Sequence, residues 1–193
     1  FVVGSEMSGG VQNIKVTNCR FLGTDVGLRF KSCRGRGGVV EDIYIEDIVM
    51  MNIPTEPLLF DLHYGGKSAV EAAAEGASPF DVEYVPADVT TPQFKDIYIK
   101  DVKCSGAARA MYFNGIPEKN IENIVVEDCE IVAMKGADLR YSTGVVLKDV
   151  KITQSEGPGY SVANCCNVVI DDCSSAAGMQ EVFEYNSSNL IVK

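Results

Sequence analysis

An all-β solenoid is the fold class that this 193-residue chain predicts, and three observations carry it. A short alternating pattern recurs along the chain. A second family of strand-like segments interleaves with it. Equivalent positions in successive copies hold equivalent residues, and a repeat of roughly 20–30 residues with short strands and no long helix is the signature of stacked coils.

The first set reads NIKVTNC at 13–19, DIYIEDI at 42–48, DIYIKDV at 96–102, NIVVEDC at 123–129, GVVLKDV at 144–150 and NVVIDDC at 167–173, with a partial NLIVK from 189. Each copy alternates β-formers with polar residues, which predicts a strand with one buried face. One column of the stack is then Cys19, Ile48, Val102, Cys129, Val150 and Cys173, all small and apolar. Its neighbour is Asn18, Asp47, Asp101, Asp128, Asp149 and Asp172, residues able to hydrogen-bond a turn backbone. Successive copies start 29, 54, 27, 21, 23 and 22 residues apart, so the step of 54 reads as about two units with one copy degenerate or interrupted.

The second set is VGLRFKS at 26–32, PLLFDLHY at 57–64, RAMYFNG at 109–115, DLRYST at 138–143, YSVANC at 160–165 and EVFEYN at 181–186. Each coil thus has at least two strands, with three expected, and the chain makes one domain, 1–193, of about six to seven coils. A β-sandwich would not keep such columns, and the leucine-rich signature is absent. Residues 65–93 interrupt the pattern: AVEAAAEGA suggests a short helix, and three prolines suggest a loop leaving the coil.

Composition narrows the function. With 17 Lys+Arg against 27 Asp+Glu, the formal charge of −10 argues against general nucleic-acid or anionic-membrane binding. No apolar run approaches the ~18 residues of a membrane span. The start, FVVGSEM, has neither an initiator Met nor the features of a signal peptide, and reads as a processed or trimmed end. The seven cysteines show no zinc spacing and read as buried thiols, so no metal or cofactor is expected.

Against this acidic background, GLRFKSCRGRGG at 27–38 gathers Arg29, Lys31, Arg34 and Arg36 with no acid. Alternation turns Leu28 and Phe30 inward and Arg29 and Lys31 outward, about 6.5 Å apart. Two cations at that spacing suit carboxylates, Arg as a fork and Lys as a point charge. The plainer alternative is that they keep a sheet face wet. Arg34 and Arg36 read as solvated turn charges. In LLFDLHY, Asp61 and His63 face outward if Phe60 and Leu62 face in, and Tyr64 ends the strand where it can stack on a sugar. His63 is the sole histidine, and a lone histidine is more often structural than catalytic.

The stretches GSEMSGG, VGLRFKS and RGRGGVVEDIYIEDI resemble glycoside hydrolase family 28, the polygalacturonases and related pectin-degrading hydrolases. The resemblance is specific over 1–64 and generic after about 94. It implies a right-handed parallel β-helix with its cleft on one sheet. It also implies that Arg29 and Lys31 match the family's Arg-x-Lys motif and Tyr64 its cleft tyrosine, with Asp61 and His63 beside them as substrate-binding residues. The partner implied is an acidic polysaccharide or oligogalacturonide, in an extracellular or periplasmic setting.

The family's Asn-x-Asp, Asp-Asp and Gly-His-Gly motifs are not in the cleft-strand region, and residue 1 falls a few positions after the expected His. The pair Asp171-Asp172 lies in the other strand set and reads as turn ladder. Inverting hydrolysis needs two carboxyls about 6.5–9.5 Å apart, and the acids nearest the cleft strands, Glu6 and Asp61, are not at the family positions. The expectation is a C-terminal portion that keeps the substrate subsite and is inactive alone. A non-catalytic binder of acidic polysaccharide and a structural solenoid are the alternatives. The N-terminal coil edge is expected to be covered by another copy or by an N-terminal half.

Overall fold

The computed structural model describes residues 1–63 and 80–193. Every element among them is a strand: β1 (Val2–Gly4), β2 (Val11–Leu22), β3 (Leu28–Lys31), β4 (Val39–Ile53), β5 (Leu58–Asp61), β6 (Gln93–Asn114), β7 (Ile121–Arg140), β8 (Ser142–Thr143), β9 (Val146–Ala163), β10 (Cys166–Asp171), β11 (Val182–Tyr185) and β12 (Ser188–Val192). The short helix expected within 69–77 lies outside the described residues, as does Tyr64.

The strands pair in parallel, rung on rung. The first set stacks through β2, β4, β6, β7, β9, β10 and β12. Its register puts Val16, Ile45, Ile99, Val126, Leu147, Ile170 and Val192 in one column. Cys19 likewise pairs with Ile48 and Ile48 with Val102, while Cys129 pairs with Val150. Equivalent apolar side chains therefore fill the interior through the middle rungs, while Val16 at one end is partly buried and Val192 at the other is exposed. The step of 54 residues needs correction. Ile43 pairs directly with Ile97, so that step holds no extra rung. It is a single rung with an excursion inserted, because hydrogen bonding counts levels and not residues.

The long strands run continuously around corners; β6 alone has 22 residues. The corners explain the Asn/Asp ladder. Asn18, Asp47, Asp101, Asp128, Asp149 and Asp172 all take left-handed backbone, with φ from 49 to 57°. So do Asn13, Asp42, Asp96, Asn123, Asn167 and Asn189, which open the copies, and Gly144 stands in their place at φ 69°. Asn and Asp enter this region more readily than other non-glycine residues, which is why the columns hold them. Their side chains also bond between rungs: the Asn123 amide donates to Asp96 Oδ1 at 3.0 Å, and that of Asn189 to Asn167 Oδ1 at 2.9 Å.

An aromatic cluster lies behind the second set. Phe30, Phe60 and Phe113 are fully buried; Phe30 stacks on Phe60 with ring centroids 4.5 Å apart, and Phe113 packs tilted against Phe60 at 4.6 Å. At the N-terminal edge the packing thins. Among the described residues strand β2 pairs only with β4, and its Ile14, Val16, Cys19 and Phe21 are partly buried. Their counterparts Ile43, Ile45, Ile48 and Met50 are at most 1% exposed. All seven cysteines are free thiols, and burial pushes Cys104 up to about 11 and Cys129 and Cys165 up to about 12.

Candidate functional site

Strands β1, β3, β5 and β11 and the last residues of β6, β7 and β9 form one face of the coil. Their alternation fixes which side chains leave it. Leu28, Phe30, Leu58, Phe60, Met111 and Phe113 are buried inside. One outward column runs Arg29, Leu59, Tyr112, Asp138 and Ser161, and its neighbour runs Lys31, Asp61, Asn114, Arg140 and Ala163.

The structure thus brings Arg29, Lys31 and Asp61 to one face, on adjacent rungs, with Lys31 opposite Asp61. Asp61 is held: its Oδ1 accepts from the His63 amide at 3.0 Å and from the Asn114 side chain at 2.9 Å. His63 lies just past the strand, half-buried, and its Nε2 donates to the Gly115 carbonyl at 2.9 Å. That ring ties β5 to the next coil. Glu6 is exposed at the open edge, where a recess of about 580 Å³ is lined by Phe1, Val3, Glu6, Met7, Ile14 and Lys31. Lys31 therefore borders both the face and the edge.

Sequence reasoning marks RAMYFNG and DLRYST as strands without reading their outward sides, although the same alternation defines them. Arg109 lies over the Tyr112 ring, its guanidinium carbon 4.2 Å from the centroid. Arg140 forks onto Asp138, Nε to Oδ1 at 2.9 Å and Nη2 to Oδ2 at 2.7 Å, and approaches the Tyr112 and Phe80 rings at 5.5 and 5.2 Å. Burial raises the Tyr112 phenol, so it stays neutral. Burial also raises Glu56, against the pull of Arg109 at 3.9 Å.

A wall borders this face. Residues 80–91 run back along the coil axis beside the turns that follow these strands. Phe80 packs on Phe183 and Tyr185, the Val82 amide donates to the Tyr141 hydroxyl at 2.8 Å, and Thr90 accepts from Gly35 and Gly37. Arg34 clamps the wall midway, and here the expectation of a solvated turn charge is corrected. Its guanidinium forks onto Glu118, at 2.5 and 2.7 Å, and donates to the Glu83 carbonyl at 2.8 Å. The Glu118 side chain is 1% exposed, so the fork satisfies a buried carboxylate. Arg36 does close a turn, its amide donating to Cys33 O at 3.2 Å. Asp172 sits at a left-handed corner, as a turn residue. Among the described residues no group of His, Cys, Asp and Glu is placed to hold a metal ion.

A parallel solenoid is the arrangement that the resemblance implies, and the comparison with known families agrees on the family and the fold. Residues 2–107 match the model described as glycosyl hydrolases family 28. The chain belongs to glycoside hydrolase family 28. Residues 92–193 match a right-handed β-helix region, which gives the solenoid its hand. Among this family 28 chain's relatives, a polygalacturonase of Ralstonia nicotianae is 32% identical over 142 residues, 69% of this chain and 23% of that protein. An exopolygalacturonase of Rhizopus delemar is 26% identical over 144 residues, 72% of this chain and 33% of its own length. An endo-polygalacturonase of Pectobacterium parmentieri is 26% identical over 151 residues, 78% of this chain and 27% of its own. The chain therefore spans between 23% and 33% of the length of these relatives. No solved structure matches it.

Proposed function

We propose that this chain is the polygalacturonide-binding portion of a pectin-degrading hydrolase, built of about six to seven coils, and that Arg29 and Lys31 hold uronate carboxylates. The observation that carries the reading is their joint outward placement on a family 28 strand, with Phe30 between them locked into the aromatic stack. An acidic chain repels a polyanion at long range. Screening shortens that repulsion at cellular salt, and two fixed cations then dominate at contact. Arg29 offers the planar fork and Lys31 the point charge. Asp61, held through Oδ1, keeps Oδ2 for a sugar hydroxyl. Tyr64 and His63 complete the subsite in this reading.

The chain alone binds uronates and does not cut them. Glu6 is exposed on the open edge, and Asp61 is engaged by two donors beside Lys31, so the two do not make an acid and a base across one glycosidic bond. The edge at β2 is where a further coil or a second copy fits, and an extracellular or periplasmic setting suits the substrate.

The test is titration with oligogalacturonides. Arg29→Ala with Lys31→Ala is expected to weaken binding by about tenfold or more, the scale of one lost charge-assisted contact. Unchanged affinity overturns the assignment. Hydrolysis by the purified chain, lost on Glu6→Gln or Asp61→Asn, overturns the binding-only reading.

A further inference from the structure

We infer a second carboxylate subsite on the same face, made by Arg109 held over the Tyr112 ring, which extends recognition to a longer run of acidic sugars. The inference rests on the polygalacturonide reading and deepens it.

Tyr112 stands two rungs beyond Arg29 in the same outward column, about 10 Å along the axis at the usual strand spacing. Arg109 lies at the corner where β6 turns onto this face, its amide donating to Thr55 O at 3.3 Å. Its guanidinium rests on the Tyr112 ring at 4.2 Å. A cation on an aromatic face is held in orientation without using its N–H donors. Its two acidic neighbours, Glu56 and Asp138, stand at 3.9 and 3.8 Å, too far for hydrogen bonds. They fix the charge in place and leave the fork for another acceptor.

Arg140, one rung on, differs. Its fork is closed on Asp138 at 2.7 and 2.9 Å. The two arginines flank one tyrosine, but only one has its short contacts taken. Arg140 thereby positions Asp138, and Arg109 is the side chain able to take a ligand carboxylate. Leu59 lies between Arg29 and Tyr112, outward yet only 8% exposed, so that column carries no acid between Arg29 and the ring that holds Arg109. A single uronic acid is too short to reach both. A chain of several is not.

The experiment is calorimetric titration of the intact chain with a short and a long oligogalacturonide, a dimer too short to bridge about 10 Å and a hexamer, and with the fully methyl-esterified hexamer. The unsubstituted chain is expected to bind the acidic hexamer about tenfold more tightly than the dimer. Arg109→Ala is expected to abolish that preference while dimer affinity holds. Arg109→Lys, which keeps charge and stem and loses the fork, should recover part of it. The methyl ester should show no Arg109 dependence. A hexamer-to-dimer ratio unchanged by Arg109→Ala in a variant with native circular dichroism overturns the subsite alone. An Arg109 effect that persists on the methyl ester also overturns it, in favour of sugar stacking on Tyr112. Should Arg109→Ala not fold, an unaltered ratio in Arg109→Lys overturns the subsite equally. Failure of the unsubstituted chain to bind any acidic oligomer overturns the reading beneath it as well.

Discussion

Arg34 and Glu118 meet in a two-armed fork across 84 residues of sequence, and the same guanidinium holds the Glu83 carbonyl at 2.8 Å. One side chain thus joins the turn after β3, the turn after β6 and the wall beside the outward face. Burial works against charge on Glu118, but the hydrogen bonds from Arg34 and the backbone donors of Glu118 and Val85 together outweigh it and hold its carboxyl below its ordinary value of 4.5. A carboxyl lowered by folding contributes stability that is complete above its unfolded value and is lost as pH falls through the folded one. The wall should therefore keep its docking at neutral pH and loosen in acid, below about pH 4.5. Hydrogen exchange, corrected for intrinsic rates, should show residues 81–85 losing protection there while the amides of β6 keep theirs. Simultaneous loss in both would mean global unfolding and no local clamp.

Removing the partner at neutral pH probes the same clamp from the other side. Arg34→Ala leaves a carboxylate that is 1% exposed without its fork, at a cost of about 1–3 kcal/mol. The expected result is faster proteolysis between Phe80 and Thr90 and a lower midpoint in urea. Arg34→Lys should recover little, since one ammonium cannot serve both carboxylate oxygens and the Glu83 carbonyl.

The strand that carries the outward cations is backed by an aromatic cluster. Phe60 is fully buried between Phe30 and Phe113, with centroids at 4.5 and 4.6 Å. Phe60→Ala should cost about 3–5 kcal/mol, and Phe60→Leu much less. Chemical denaturation measures both. Oligogalacturonide affinity of the Leu variant is expected to stay near that of the parent, because strand register and not the ring itself aims Arg29 and Lys31.

Thiol chemistry checks the interior. Burial pushes Cys129 and Cys165 up to about 12, so at about pH 8 almost none of either is thiolate. Alkylation followed by peptide mass mapping should leave both unmodified in the folded chain and modify them fully in denaturant. Rapid native labelling of either would place it outside the core.

Much of this is legible in the sequence because a solenoid writes its register as a repeat. The column from Val16 to Val192 is visible as text, and so is the outward turn of Arg29 and Lys31. What stays hidden involves contacts that periodicity does not encode. Nothing near Arg34 announces Glu118, since a turn meets a turn only once the coils are stacked. Arg109 and Tyr112 do not stand out because RAMYFNG shows one charge and one tyrosine three residues apart, and their stacking depends on the corner after Gly106. The step of 54 misleads for a related reason: an inserted loop and a lost rung have the same length in residues.

The Asn/Asp ladder is plain in the sequence, but its principal role is not. These residues bend the backbone, and their side-chain bonds are the lesser part. Asp47 isolates the effect, being exposed at φ 57° in a corner between two buried isoleucines, Ile45 and Ile48. Glycine reaches this region without a side-chain penalty, whereas a β-branched residue does not. Asp47→Gly should therefore leave stability within about 0.5 kcal/mol of the parent, and Asp47→Val should lower it by about 1–2 kcal/mol, although neither touches the core. If hydrogen bonding by the side chain were the reason for the ladder, Gly and Val would be equally costly. Equal urea midpoints for the two variants would return the ladder to that simpler account.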